Sequence, residues 1–283
     1  MTTRTVALVE TATNEKVGHF NIKNVLPTRG LKQVDPFLLV HHMPPYQLKP
    51  TDDVRIDPHP HAGFEVMTYL LDGSFFHRDS RGHEQHAQAG DVNWMSSGEG
   101  IIHSEGPTAE VVKEGGQVQL LQIWINVPSP SKTTEASFRH YPAASFPVID
   151  KDGVQVKLVL GGLEGKQSPI ATQTPMFFFH YKVKANVPVT VPLTETDSAA
   201  LYVLSGKLKI LNEELNAGQL ANSALNGDQL VFTALEDSEV VVLGGEPIRE
   251  KVVSYGPFVM NSFTEIQDAI ARYESGKMGV LDY

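Results

Sequence analysis

Asp57-Pro58-His59-Pro60-His61-Ala62-Gly63-Phe64-Glu65, followed about forty residues later by Gly98-Glu99-Gly100-Ile101-Ile102-His103-Ser104-Glu105, is the part of the sequence on which the fold turns. Side chains of an extended strand alternate between two faces. His59 and His61 therefore share a face, and so do His103 and Glu105. Laid against each other, the two pairs bring three imidazoles and one carboxylate together. That donor set suits Fe, Mn, Co, Ni, Cu or Zn. Pro58 and Pro60 lack N–H groups, which puts their strand at a sheet edge or barrel mouth.

Two carboxylates compete for the fourth position. Glu65 follows His61 by four residues, whereas Glu105 shares a face with His103 directly, and Glu105 is preferred. The other would orient an imidazole or take up protons. Asp57 is a further candidate to accept from the distal nitrogen of a histidine. His77, His83 and His86 lie in polar sequence and read as solvated strand residues. His41 and His42 follow a buried strand. His180 is the one histidine of the later strands, which leaves that half without a ligand set.

Outward from this stretch the chain is a succession of short strands broken by Gly-rich turns. Glu65–Leu71, Ser74–Asp79, Glu84–Gln88, Val92–Met95, Ile101–Glu105 and Gln117–Val127 read as strands, with turns at Asp72-Gly73 and Ala89-Gly90-Asp91. Upstream, Arg4–Ala12, Val17–Leu26 and Pro36–Val40 read the same way, the last stopping at Pro44-Pro45. Pro128–Pro147 is rich in Pro, Ser and Ala and reads as a linker. A second series follows, in which Leu201-Tyr202-Val203-Leu204-Ser205-Gly206 echoes Thr68-Tyr69-Leu70-Leu71-Asp72-Gly73, the mark of a duplicated β-barrel. The expected domains are 1–130, a metal-binding barrel; 131–147, a crossover; and 148–283, a metal-free barrel with a helix. Ser262-Phe263-Thr264-Glu265 is a capping box for that helix. Its apolar face carries Ile266, Ile270 and Tyr273.

Composition narrows the function. A formal net charge of −10 disfavours a broad nucleic-acid or anionic-membrane interface. No apolar run is long enough to cross a bilayer, and Met1–Glu10 has no signal pattern, so a cytoplasmic monomer is expected. The absence of cysteine excludes disulfides, thiolate catalysis and Fe–S clusters.

The two motifs quoted above, with Gly90-Asp91-Val92-x-Trp94-Met95, Gln122-x-Trp124-x-Asn126 and Gly256-Pro257-Phe258-Val259-Met260-Asn261, resemble the pirin family over nearly the whole chain. The resemblance implies a bicupin: two antiparallel β-barrels face to face with a C-terminal helix. It implies iron held by His59, His61, His103 and Glu105, with Fe2+ ahead of Zn, Mn, Co, Ni or Cu. It also implies a dioxygenase that cleaves quercetin or a related flavonol with O2. Glu105 is then the base that removes the flavonol hydroxyl proton, provided that it lets go of the metal or is only weakly bound. Some pirins are instead partners of transcription or metabolic proteins, and an iron-dependent protein partner is the alternative. The chain departs from the family at Glu99, where a basic residue is usual, and at Val40-His41-His42, where relatives are often acidic. The first departure is expected to change the charge at the barrel mouth.

Overall fold

A computed structural model describes residues 1–52 and 54–282. In chain order the strands are β1 (Val6–Thr11), β2 (Thr13–Val17), β3 (Phe20–Leu26), β4 (Phe37–Gln47), β5 (Ile56–His61), β6 (Phe64–Asp72), β7 (Ser74–Asp79), β8 (Glu84–Gln88), β9 (Val92–Ser96), β10 (Ile101–Pro107), β11 (Gln117–Asn126), β12 (Ser137–Tyr141) and β13 (Val148–Lys151). The later ones are β14 (Val154–Leu160), β15 (Gly162–Leu163), β16 (Lys166–Gln167), β17 (Met176–Val183), β18 (Pro188–Pro192), β19 (Ser198–Ser205), β20 (Lys207–Ile210), β21 (Glu213–Asn216), β22 (Gln219–Ser223), β23 (Gln229–Ala234), β24 (Ser238–Gly245), β25 (Val253–Tyr255) and β26 (Phe258–Met260). Helix α1 (Ala109–Lys113) is a single turn, and α2 (Phe263–Glu274) is the C-terminal helix.

The duplication is visible in the sheets. The first barrel joins a seven-stranded sheet, β12-β9-β6-β11-β4-β3-β2, to a four-stranded one, β5-β10-β7-β8. The second repeats the scheme as β1-β22-β19-β24-β17-β14-β13 and β18-β23-β20-β21. Every position has a counterpart. The edge place taken by β12 in one barrel is taken by β1 in the other.

The compact units interleave along the chain. One comprises Asn14–Lys23, Leu39–Ala143 and Ile248–Tyr283; the other comprises Met1–Thr13, Asn24–Leu38 and Ala144–Pro247. The contiguous ranges expected from sequence do not coincide with them. Strand β1 pairs with β22 from Val6↔Ser223 to Thr11↔Gln219, so the N-terminus completes the second barrel. The C-terminal helix belongs to the first unit. The expected linker also contains a strand, because β12 pairs with β9 from Ser137↔Ser96 to Tyr141↔Val92. Strand β4 continues through Pro44 and Pro45 to Gln47, since the fixed φ of proline is compatible with extended backbone.

Strand chemistry follows burial. β7 alternates, with Phe75, His77 and Asp79 buried and the residues between them partly exposed. β6 is apolar on both faces and is buried from Phe64 to Leu70. Gly73 turns β6 into β7 at φ 76°, and a Cβ there would lie 2.2 Å from the Gln117 carbonyl oxygen. The first barrel packs Phe20, Ile22, Met43, Leu70, Phe75 and Leu120. In α2 the capping box forms as read: Ser262 Oγ accepts from the Glu265 N–H at 3.3 Å, and the Glu265 carboxylate reaches back to the Asn261 N–H at 3.1 Å. The buried face is Ile266, Ala269 and partly buried Ile270, packed with Ala62, Phe258 and Met278; Tyr273 is 42 % exposed and lies off it.

Candidate metal centre

Strand β5 is an edge strand, as its prolines require, and pairs with β10 in the register His103↔His59 and Ile101↔His61. A bulge after His103 shifts Glu105 opposite Ile56. The consequence is a cluster. The rings of His59 and His103 have centroids 4.3 Å apart, and His61 lies 4.9 Å from each. One nitrogen from each of the three falls within 4.8 Å of the others.

Burial pushes all three imidazoles below the ordinary histidine range, and their mutual proximity adds to it at His61 and His103. They are therefore neutral, with one lone-pair nitrogen each. The hydrogen bonds say which. His59 Nδ1 is 2.7 Å from the main-chain carbonyl of Asp57, and His61 Nδ1 is 3.4 Å from that of Pro257. Carbonyls only accept, so both Nδ1 atoms carry the proton and both Nε2 atoms are free to bind. His103 Nε2 is buried without a hydrogen-bond partner. An orphaned buried nitrogen is costly unless something else binds it. Three neutral imidazoles converging on one spot fit a single transition-metal ion.

The carboxylates separate by face. Gln122 and Trp124 of β11 line a cavity with His59, His61 and Glu105. Glu105 Oε1 accepts from Gln122 Nε2 at 2.9 Å, and Thr68 Oγ1 is 3.5 Å from Oε2. Glu65 pairs with Ile125, one step out of phase with Gln122 and Trp124, and so points to the opposite face of the sheet. There it accepts from Ser96 Oγ at 2.9 Å. Burial raises both glutamates to about 7 against hydrogen bonds that pull them down, from Gln122 and Thr68 at Glu105 and from Ser96 and Trp94 at Glu65. Asp57 meets His59 through its main chain, while its residue is exposed.

The cavity measures about 360 Å³ and is lined mainly by Phe20, Ile22, Met43, Phe75, Leu120 and Trp124. His41 also lines it, and burial pulls its pKa down to about 4. His42 is buried too and accepts from the Gln119 amide at 3.0 Å. His77, expected in solvent, is 3 % exposed beside His103. The alternation of β7 gives the reason, since it turns His77 to the side where Phe75 packs. His83 is half-buried and bonded to Asp79 at 3.0 Å, whereas His86 is exposed as expected. Asp79 escaped the sequence reading altogether; its only signal is its place at i+2 from His77. Glu99 does not add a free charge, because Arg272 holds it at 2.7 Å and Arg81 at 3.7 Å. Among the described residues no helix is long and apolar enough to cross a membrane.

Lys132 anchors the ligand strand. The residue is 1 % exposed, and its ammonium donates to the Gly63 carbonyl at 2.8 Å, to Asn126 Oδ1 at 2.7 Å and to the Val259 carbonyl at 3.4 Å. Burial pulls its pKa down to about 8 against the fields of Glu250 and Glu265. Gly63 sits at φ 85°, and a Cβ there would fall 2.0 Å from the Val259 carbonyl oxygen.

Comparison with known proteins agrees with this geometry. The Pirin family model matches residues 19–125, and the model of the Pirin C-terminal cupin domain matches residues 178–279. Pirin-1 of Arabidopsis thaliana is 35% identical over 270 residues, covering 91% of this chain and 88% of its own. Human pirin is 31% identical over 281 residues, covering 97% and 93%. A crystal structure of quercetin 2,3-dioxygenase from Acinetobacter baumannii superposes with a TM-score of 0.95 at 29% identity, covering 99% of this chain and 100% of that one. Paired barrels, a three-histidine cluster in the first of them, and matches of this extent lead to one conclusion: the chain belongs to the pirin family.

Proposed function

We propose that the protein is a metal-dependent dioxygenase acting on a flavonol or a related enol-bearing aromatic, with O2 as co-substrate and the cytoplasm as its compartment. His59, His61, His103 and Glu105 would hold one divalent ion, Fe2+ before the other transition metals. When bound, the ion would supply a Lewis acid for the substrate oxygen and a one-electron couple for O2. The observation that carries the reading is the cavity. Its volume of about 360 Å³ is within the range of small-molecule pockets, its walls are apolar and aromatic, and its polar lining is confined to His41, His59, His61, Glu105 and Gln122.

The residues divide the work. Phe20, Phe75, Leu120 and Trp124 bury the flat face of an aromatic substrate and keep water away from the reacting end. Glu105, released from the ion or only weakly held by it, would take the hydroxyl proton. Gln122 donates to Glu105 Oε1 and so holds the carboxylate in place. His41, neutral near pH 7, offers a hydrogen bond without adding a charge. The second barrel would be metal-free.

The test is to load the purified chain with Fe2+ without air, add quercetin, admit O2, and follow flavonol absorbance and O2 uptake together. Stoichiometric loss of both, abolished by His59→Ala, is the expected result. Iron retained with neither consumed would sink the reading. Glu105→Gln should lower kcat more than it changes KM.

A further inference from the structure

We propose that Asp79 and His77 are positioning residues that set the tautomer of His103 through two consecutive hydrogen bonds. The inference rests on the metal reading above but concerns residues that reading does not use. His103 Nδ1 lies 3.5 Å from His77 Nδ1, and His77 Nε2 lies 3.0 Å from Asp79 Oδ2. Two imidazoles facing each other through Nδ1 can bond only if one nitrogen carries the hydrogen and the other does not. Something must choose between them.

Asp79 makes the choice. Its side chain is fully buried, and its Oδ1 accepts from the main-chain N–H of Arg81 at 2.9 Å and of His83 at 3.2 Å. His83 Nδ1 sits 3.0 Å from both oxygens. Main-chain N–H groups cannot reverse, so Asp79 is an acceptor. His77 must then donate from Nε2, and in the proposed arrangement this is its one N–H, with the lone pair on Nδ1. That lone pair accepts the Nδ1 hydrogen of His103. The Nε2 of His103 is left bare, and it is this atom that is buried without a protein partner. Phe138 lies flat on the His77 ring, with centroids 4.1 Å apart and planes at 10°, which holds the ring in the bonding orientation.

His59 and His61 have the same tautomer for a simpler reason, each donating to a main-chain carbonyl. Only at His103 is the tautomer set by side chains, and so only there can a substitution reverse it. The fold does not need the polar pair. Counted from the equivalent turns at Gly73 and Gly206, His77 corresponds to Ile210 of β20, which is buried in the second barrel's apolar core.

Asp79→Asn is the decisive change. The two main-chain donors keep an oxygen at the Oδ1 place, so the amide nitrogen faces His77. The chain of bonds reverses, His103 receives at Nδ1, and its Nε2 gains a hydrogen. Calorimetric titration with Co2+ should show affinity falling about 10–100-fold. Nitrogen-15 NMR of the metal-free protein should show His103 protonated at Nδ1 in the parent chain and at Nε2 in Asp79→Asn. A parent chain with His103 protonated at Nε2 overturns the proposal whether or not the variant folds. So does an Asp79→Asn protein that binds Co2+ as tightly as the parent. If the parent chain binds no metal, the metal reading fails, and the tautomer measurement still decides this one.

Discussion

The two barrels use one strand order for opposite purposes. In the first, the edge pair β5 and β10 turns His59, His61, His103 and Glu105 inward, and His59, His61 and Glu105 line a cavity. In the second, the matching pair β18 and β23 turns Val189, Val191, Leu230 and Phe232 inward, and all four are buried in a continuous apolar core. The backbone scheme is therefore neutral between filling a barrel and opening it. The filled version is stabilised by apolar burial, at roughly 25 cal/mol per Å². The open version exchanges that for inward-turned imidazoles, one of which, His103, keeps a buried Nε2 without a hydrogen-bond partner. A bound cation would return the stability so lost.

Substitutions can break this contrast in graded steps. The largest effect is expected from His103→Ala, which removes a donor from the centre of the cluster: metal retained after dialysis, read by elemental analysis, should fall from one equivalent to none. Next comes Phe232→Ala in the filled barrel, which should cost about 3–5 kcal/mol in urea unfolding while leaving the metal content of the folded fraction unchanged. Equal sensitivity of both barrels to both substitutions would erase the distinction.

Acid sharpens it further. In the metal-free first barrel, burial holds His41 and His42 at about 4, and it also lowers His59, His61 and His103. Such groups bind fewer protons folded than unfolded below about 6.5, so their contribution to stability grows as pH rises to that value. Glu65 and Glu105, at about 7, bind more protons folded than unfolded above the ordinary 4.5 and act in the opposite sense. Five groups outweigh two, so the melting temperature of the metal-free protein should climb between about pH 4.5 and 6.5 and then level or dip towards 7. Glu65→Gln, which touches no histidine of the cluster, should steepen the climb. In the second barrel, a hydrogen bond from His180 and the neighbouring Lys182 hold Glu239 at about 2. Its contribution is present above about 4.5 and is lost as pH falls towards 2. The smallest effect is expected on α2, where Tyr273→Ser, at an exposed site, should change stability by no more than about 0.5 kcal/mol.

What could be read from the residues alone was whatever depends on spacing within one strand. His59-x-His61 and His103-x-Glu105 declare a shared face because the period of a strand is two. The prolines at 58 and 60 declare an edge, and the capping box declares a helix start. What could not be read depends on which strand lies beside which. His77 and Asp79 sit in a polar-looking stretch, and only the pairing of β7 with β10 brings them to His103. Strand β1 looks like the first strand of the first barrel, yet it joins β22 far along the chain. Tyr273 kept the helical period and still missed the buried face, which is made by Ile266, Ala269 and Ile270. Glu65 against Glu105 is a matter of register: Ile125 lies opposite Glu65, which turns it to the face away from Gln122 and Trp124.

The Lys132 anchor has a consequence for how much chain the centre requires. The acceptors of that ammonium include Val259, and the carbonyl that sets His61 belongs to Pro257. Every proposed donor atom lies before residue 106, yet two of the groups that aim them lie beyond residue 250. A fragment ending at Pro247 would keep all four donors and lose the last turn of the lock, so His61 should rotate freely and the fragment should hold metal weakly. The tail of this polypeptide is a component of its head.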